Sequence, residues 1–356
     1  MRGLAVVVMI QCHAFNSFTR ADLHKDSAYI ASQFVGGMAA PLFLFMAGIT
    51  FGFQMDSLQR REPRPFRRWL SALRRSGYIF GIAILFRLFC FMGSLPNPDW
   101  PDLLKVDILN CMGLAMAAIS PAALFTPKGR VRFAGVAAVL IAAAAPLVRE
   151  IPWQSAPPLL HDYLVPEPGA GRFPFFPNAA YLGFGLVAGT AVKRASDRTG
   201  RVIQWSIGIG LALIVIGQFV AGLPVSPYRD ASFWVDSPLL IFIRTGVSLL
   251  MLSGSYFWTE HLARSGWSWM ITLGRNSLMV YWVHIMLVYG WITSKLHNRL
   301  TILHAAAATA AVIVSMVVLS AVWPALRSGI YETSRRYRSA RKSPPTLSPG
   351  GYIGDH

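Results

Sequence analysis

Ten stretches of mainly apolar sequence decide what this chain can become, because each lies near the roughly 20 residues that carry a helix across a bilayer. They are Gly3–Phe18, Ile30–Gln54, Gly77–Leu95, Asp107–Phe125, Phe133–Val148, Pro177–Val192, Val202–Gly222, Ser237–Trp258, Trp269–Ile292 and Ile302–Leu326. Only 14% of the 356 residues are charged, where a soluble domain carries about a quarter. Lipid offers the backbone no hydrogen-bond partners, so each stretch must satisfy its own amides. The expected fold is therefore all-α, a polytopic membrane protein with about ten transmembrane helices. No internal repeat is visible, which weighs against repeat-built transporter folds. The first stretch lacks a small-residue cleavage site and is interrupted by Gln11 and His13, unlike a signal peptide. At about 24 Å it falls short of a ~30 Å hydrocarbon core, so we expect the natural start to lie upstream of Met1.

Charge sets the expected orientation. Of the 33 Lys and Arg residues, 22 fall in loops and ends on one side of these spans and 8 on the other. The positive-inside rule then puts both termini in the cytoplasm. The net charge of +17 reads as cytoplasmic loops and not as a nucleic-acid surface. The segment Arg60–Arg75 looks like an interfacial amphipathic stretch drawn to anionic lipid. The outer loop 149–176, rich in Pro and aromatics, is expected to be ordered and to cover a site at that face. Residues 1–330 form one expected domain, followed by a basic tail, 331–356, whose Pro-, Ser- and Gly-rich end from Ser343 reads as disordered. Three cysteines, Cys12, Cys90 and Cys111, give neither a disulfide framework nor a metal-ligand spacing.

Ionisable groups inside a bilayer are costly, so each is a functional candidate. His13 lies near the outer end of the first span, and imidazole exchanges a proton near neutral pH with little tuning. Its plain alternative is an interfacial histidine bonded to water. Arg87 and Arg244 lie in the outer halves of their spans. Each can snorkel outward, or the two can hold an anionic group or a carboxylate such as Asp107. Arg275 and Asn276 open the ninth span, with His284 eight residues on along the same face, about 12 Å higher. A histidine bonded across helices is the plainer reading of His284. No phosphate-cradling glycine loop or nucleophile elbow occurs.

Four segments in order resemble a known family. Arg2-Gly-Leu-Ala-Val-Val-Val-Met-Ile-Gln-Cys-His13 is similar to the Arg-Gly…Met…His opening of membrane acyltransferases. Ala40-Pro-Leu-Phe-Leu-Phe-Met-Ala-Gly48 resembles their Pro-x-Phe-x-Phe-x-x-Gly run. Val106-Asp-Ile-Leu-Asn-Cys-Met-Gly113 and Leu273-Gly-Arg-Asn-Ser-Leu through His284 resemble two later signatures. Together, over residues 2–325, they resemble the bacterial branch of the heparan-α-glucosaminide N-acetyltransferase catalytic-domain family, within the transmembrane acyltransferase superfamily. An aspartate usual three residues before Arg-Gly has no counterpart here. The family's histidine lies in the loop after its first core span, which makes His24 a rival of His13.

The resemblance implies a multi-pass enzyme of the bacterial inner membrane that binds no resident cofactor and no metal. It would move an acyl group, most simply acetyl, from cytoplasmic acyl-CoA to an amine or hydroxyl of an outer-face glycan or glycolipid. Its partners would then be acyl-CoA, that acceptor and membrane lipid, with no nucleic acid. His13 would act as general base or carry the acyl group, Asp107 would orient it, and Arg87 or Arg244 would stabilise the oxyanion. Arg275, Asn276 and Arg75 would hold the CoA phosphates. His24, His284 and Asn16 remain further candidates. The competing readings are a transporter or flippase for an anionic lipid or solute, working through Arg87 and Arg244, and a non-catalytic membrane scaffold.

Overall fold

A computed structural model describes residues 1–93, 100–167, 172–195, 198–224, 228, 232–262 and 267–340. Asp99, Arg229, Asp230, Arg264 and the tail from Ser343 lie outside the described residues. Among the described residues the fold is all-helical, and seven helical segments are long and apolar enough to cross a membrane. In chain order these helices are α1 (Arg2–Phe18), α2 (Ser27–Gly36), α3 (Ala39–Arg61), α4 (Pro65–Gly93), α5 (Trp100–Leu104), α6 (Ile108–Ile119) and α7 (Pro127–Glu150). There follow α8 (Pro158–Leu164), α9 (Phe175–Ala195), α10 (Thr199–Ala221), α11 (Pro238–Phe257), α12 (Trp269–Arg275), α13 (Ser277–Tyr289) and α14 (Ile302–Ala340).

Local chemistry explains where several begin. Asp107 caps α6 by accepting from Leu109 N and Asn110 N, and the Asn110 side chain returns the bond to Asp107 N. Thr126 and Ser237 cap α7 and α11, each with proline at the first helical position.

Three expected features take a different form. The second span is broken at Gly37–Met38 into α2 and α3, and at the end of α2 Gly36 lies so close to Cys12 of α1 that a Cβ there would come within 2.6 Å of its Sγ. The ninth span is broken at Asn276, whose amide donates to Thr272 O and Ser320 O and so pins the break to α14. The Arg60–Arg75 stretch is not one interfacial loop: α3 continues to Arg61 and α4 starts at Pro65, leaving a three-residue turn. The last helix, α14, runs to Ala340.

Packing follows small residues. A Cβ on Gly48 of α3 would lie 2.1 Å from Leu182 O, and one on Gly185 of α9 would lie 2.0 Å from Phe45 O. Only glycine permits these two backbones to lie so close. α1 is the central element, in contact with α2, α3, α12, α13 and α14. By contrast α4, α10 and α14 leave rows such as Leu85–Leu88–Phe89, Val215–Ile216–Phe219 and Val314–Val318–Val322 exposed. Apolar surface of that extent belongs against lipid.

The end of α1 opposite Arg2 is tied to the turn before α14. Asn298 N and Leu300 N donate to Ser17 O and Phe18 O, and Arg20 N donates to Leu300 O. These bonds satisfy carbonyls that end a helix, and Asn298 takes the required positive φ of 54°. The loop after α7 is ordered where described. Arg149 pairs with Asp236 at 3.0 Å, Arg172 with Asp162, and Asn110 Nδ2 donates to Tyr163 at 3.1 Å. Burial pushes the Tyr163 phenol up, so it stays protonated. This loop lies over the start of α6.

Candidate functional site

α1 and α13 bring two imidazoles together. His13 Nδ1 lies 3.0 Å from His284 Nε2, and the rings are within 3° of parallel. His284 Nδ1 lies 2.8 Å from Val280 O. A carbonyl can only accept, so His284 carries its proton on Nδ1 and, when neutral, presents a lone pair on Nε2. His13 must then donate from Nδ1, which leaves the lone pair of its Nε2 outside the pair. No protein group among the described residues holds that nitrogen. His284 is fully buried while His13 is half-buried. The Tyr289 ring stands edge-on to His13 at 5.8 Å, and exposed Asn16 one turn along α1 accepts from the Tyr29 hydroxyl.

His24, the rival histidine, lies apart from this pair. Its Nε2 is 3.2 Å from Thr19 O and its ring stacks on Tyr29 with centroids 4.2 Å apart. Asp107 does not hold His13. It caps α6 and pairs with Arg87, 3.2 Å from its Nε, because a carboxylate buried to 3% exposure needs its charge answered nearby. Between that pair and the histidines lies Tyr281, which feels both charges and abuts His284 edge-on at 5.9 Å. Arg87 is therefore committed to Asp107. Arg244 is not: no carboxylate among the described residues pairs with it. Its guanidinium lies by Gly37 at the α2–α3 break, and buried Tyr181 is a neighbour.

At the other end of α1 a cavity of about 450 Å³ is lined by Arg2, Met251, Trp258, Met270 and Arg275, among others. Two motif glycines make it. A Cβ on Gly3 would lie 2.0 Å from Met270 O, and one on Gly274 would lie 2.8 Å from Gly3 N. Arg2 and Arg275, next to these glycines in sequence, both line the cavity. Arg75 is exposed and adds its charge near Arg2. Asn276 is spent on α14 and does not line the cavity.

The sequence reading missed the His13–His284 contact, Arg2 and the Gly3–Gly274 approach. The structure places His13 five residues before the end of α1 at Phe18 and His284 five before the end of α13 at Tyr289. The apolar stretch itself runs on to Ile292, which hid that equal depth.

Residues 1–321 match the acyltransferase domain family. The chain belongs to this family. The match spans nearly every helix described above, so both the histidine pair and the cavity below it lie within the acyltransferase domain. It does not single out the heparan-α-glucosaminide branch. No curated protein gives a significant match.

Proposed function

We propose that this membrane acyltransferase moves an acyl group, most simply acetyl, from acyl-CoA at its basic end to a hydroxyl or amine at the opposite face, with His13 as general base. The observation that carries the reading is the bare Nε2 of His13, left so by the bonds from His13 to His284 to the Val280 carbonyl. In the proposed step Nε2 takes the proton from the acceptor hydroxyl or amine as that group attacks the thioester carbonyl. The tetrahedral oxyanion collapses and the carbon–sulfur bond breaks. The proton passes from His13 to the departing CoA thiolate, so the base is restored. His284 shares the positive charge that His13 carries in between, as an orienting partner.

The donor would approach through the cavity at Arg2 and Arg275, whose guanidiniums suit phosphate oxygens. Eleven residues separate Arg2 from His13, about 16 Å along α1, a span that an extended pantetheine arm covers. Positive-inside charge supports placing this end in the cytoplasm, in a bacterial inner membrane. The acceptor is a glycan or glycolipid in this reading, and Arg244, lacking a carboxylate partner, would bind an anionic group on it.

The test is acetyl transfer from radiolabelled acetyl-CoA by protein purified into lipid nanodiscs, with glycan and glycolipid acceptors. His13→Ala should lower turnover by about 10²–10⁴ while still folding, with a modest fall in melting temperature because buried His284 loses its partner. Full transfer by His13→Ala would end the proposal. Full activity there with an inactive, folded His24→Ala would move the chemistry to the first outer loop.

A further inference from the structure

A second basic cavity, of about 360 Å³, lies where the end of α3, the start of α7 and the end of α9 meet, lined by Asp56, Gln59, Arg60, Pro127, Lys193 and Arg194. It shares no residue with the cavity at Arg2 and Arg275. Behind it stands Arg130, on the first turn of α7, with no exposed surface at all. One nitrogen of its guanidinium, Nη2, donates to Gln59 Oε1 at 2.8 Å, while Nε and Nη1 have no partner. Arg68, 7% exposed, gives one bond to Leu124 O and keeps an unpartnered Nε. The charges that bear on Arg130 are those of Asp56, Arg68 and Arg194. Asp56 is the lone carboxylate of this cluster, and it is already paired with Arg60.

Five cations thus face one committed carboxylate. A buried guanidinium with empty N–H groups is costly. The cluster has two such arginines in one place, beside the N-terminus of a 24-residue helix, α7, whose dipole adds positive potential. A tetrahedral oxyanion offers several acceptors at once and more than one negative charge, which fits forked donors arriving from three helices. The cavity also has room for a substituent beyond the anion itself.

We propose that this cavity is a phosphate-binding site, separate from the acyl-transfer machinery, that takes either the headgroup of an anionic lipid or a soluble phosphorylated ligand. The proposal does not depend on the role of His13.

Protein purified in a maltoside detergent is titrated with inorganic pyrophosphate in one arm and with short-chain phosphatidylglycerol in the other, and the melting temperature is followed. A saturable rise in either arm is expected, and the arm that gives it names the source of the phosphate. The double variant Lys193→Gln/Arg194→Gln, whose side chains are exposed and whose loss leaves the buried arginines in place, should weaken that ligand at least tenfold. Arg130→Met should abolish the rise and should melt no lower than wild type without ligand, because it removes a buried unpaired charge. If Arg130→Met fails to fold, the double variant decides. No saturable rise in either arm, or equal affinity in the double variant, overturns the proposal.

Discussion

The Arg87–Asp107 and His13–His284 pairs are both polar pairs buried among apolar helices, yet they are built to opposite ends. The first is answered by charge. Asp107 Oδ1 accepts two backbone amides, and Oδ2, which has no hydrogen bond, faces Arg87 Nε at 3.2 Å. The second is terminated on one side only. The Val280 carbonyl closes the chain of bonds at His284, and the other end, His13 Nε2, stays open. A buried polar group is costly unless it is partnered; what separates these two pairs is that Asp107 caps a helix and answers a charge, whereas His13 keeps a ring nitrogen outside its pair.

The sharpest way to break that contrast is to exchange the phenotypes. His13→Ala should lose acyl transfer, by the factor given above, and keep its fold. Asp107→Ala should do the reverse. It leaves Arg87 buried without a counter-charge and uncaps α6, at a cost of about 3–5 kcal/mol, read as a large fall in melting temperature and yield. Turnover per folded molecule should survive. An Asp107→Ala protein that melts normally but transfers nothing would make Asp107 part of the chemistry.

A finer test addresses His284 as a positioning residue. His284→Ala should lower turnover by about ten- to a hundredfold, as loss of an orienting partner does elsewhere, and His284→Gln, whose carbonyl can still accept from His13 Nδ1, should recover part of it. The readout that a merely structural role would not move is the pH profile of kcat. It should change in His284→Ala, where no second imidazole shares the charge on His13. Identical profiles in wild type and both variants would confine His284 to packing. The smallest effect is expected at Arg244. Arg244→Gln should raise KM for an anionic acceptor about tenfold, one charge-assisted hydrogen bond, and leave kcat and KM for acetyl-CoA unchanged.

Much of the fold was legible because hydropathy at span length reports burial in lipid directly. Where described, each of the ten apolar stretches lies mainly on helix, and Gly3–Phe18 and Phe133–Val148 lie within α1 and α7. The break at Asn276 was not legible, since it answers to Ser320, which is distant in sequence, and neither was the break at Gly37–Met38. At the candidate site, His13, Arg87, Asp107, Arg244 and His284 were each conspicuous as polar residues in apolar runs. Their pairing was not. Depth along a helix can be counted, whereas the azimuth that turns His13 toward α13 and Asp107 toward α4 is set by tertiary packing. Arg130 was hidden for another reason, since it sits between Lys128 and Arg132 in a basic stretch where one more cation draws no notice.

The hydrogen bonds between residues 298–300 and the end of α1 have a mechanical meaning. α1 is fixed at both ends to neighbouring parts of one late segment: through Gly3 against Gly274 at the basic end, and through Ser17 and Phe18 against Asn298 and Leu300 at the other. A beam supported at both ends bends little in the middle, and the imidazole pair sits between the supports. Both rings are thus carried by segments tied to each other at either end of α1, while α10 and α11, outside that frame, pack chiefly on each other.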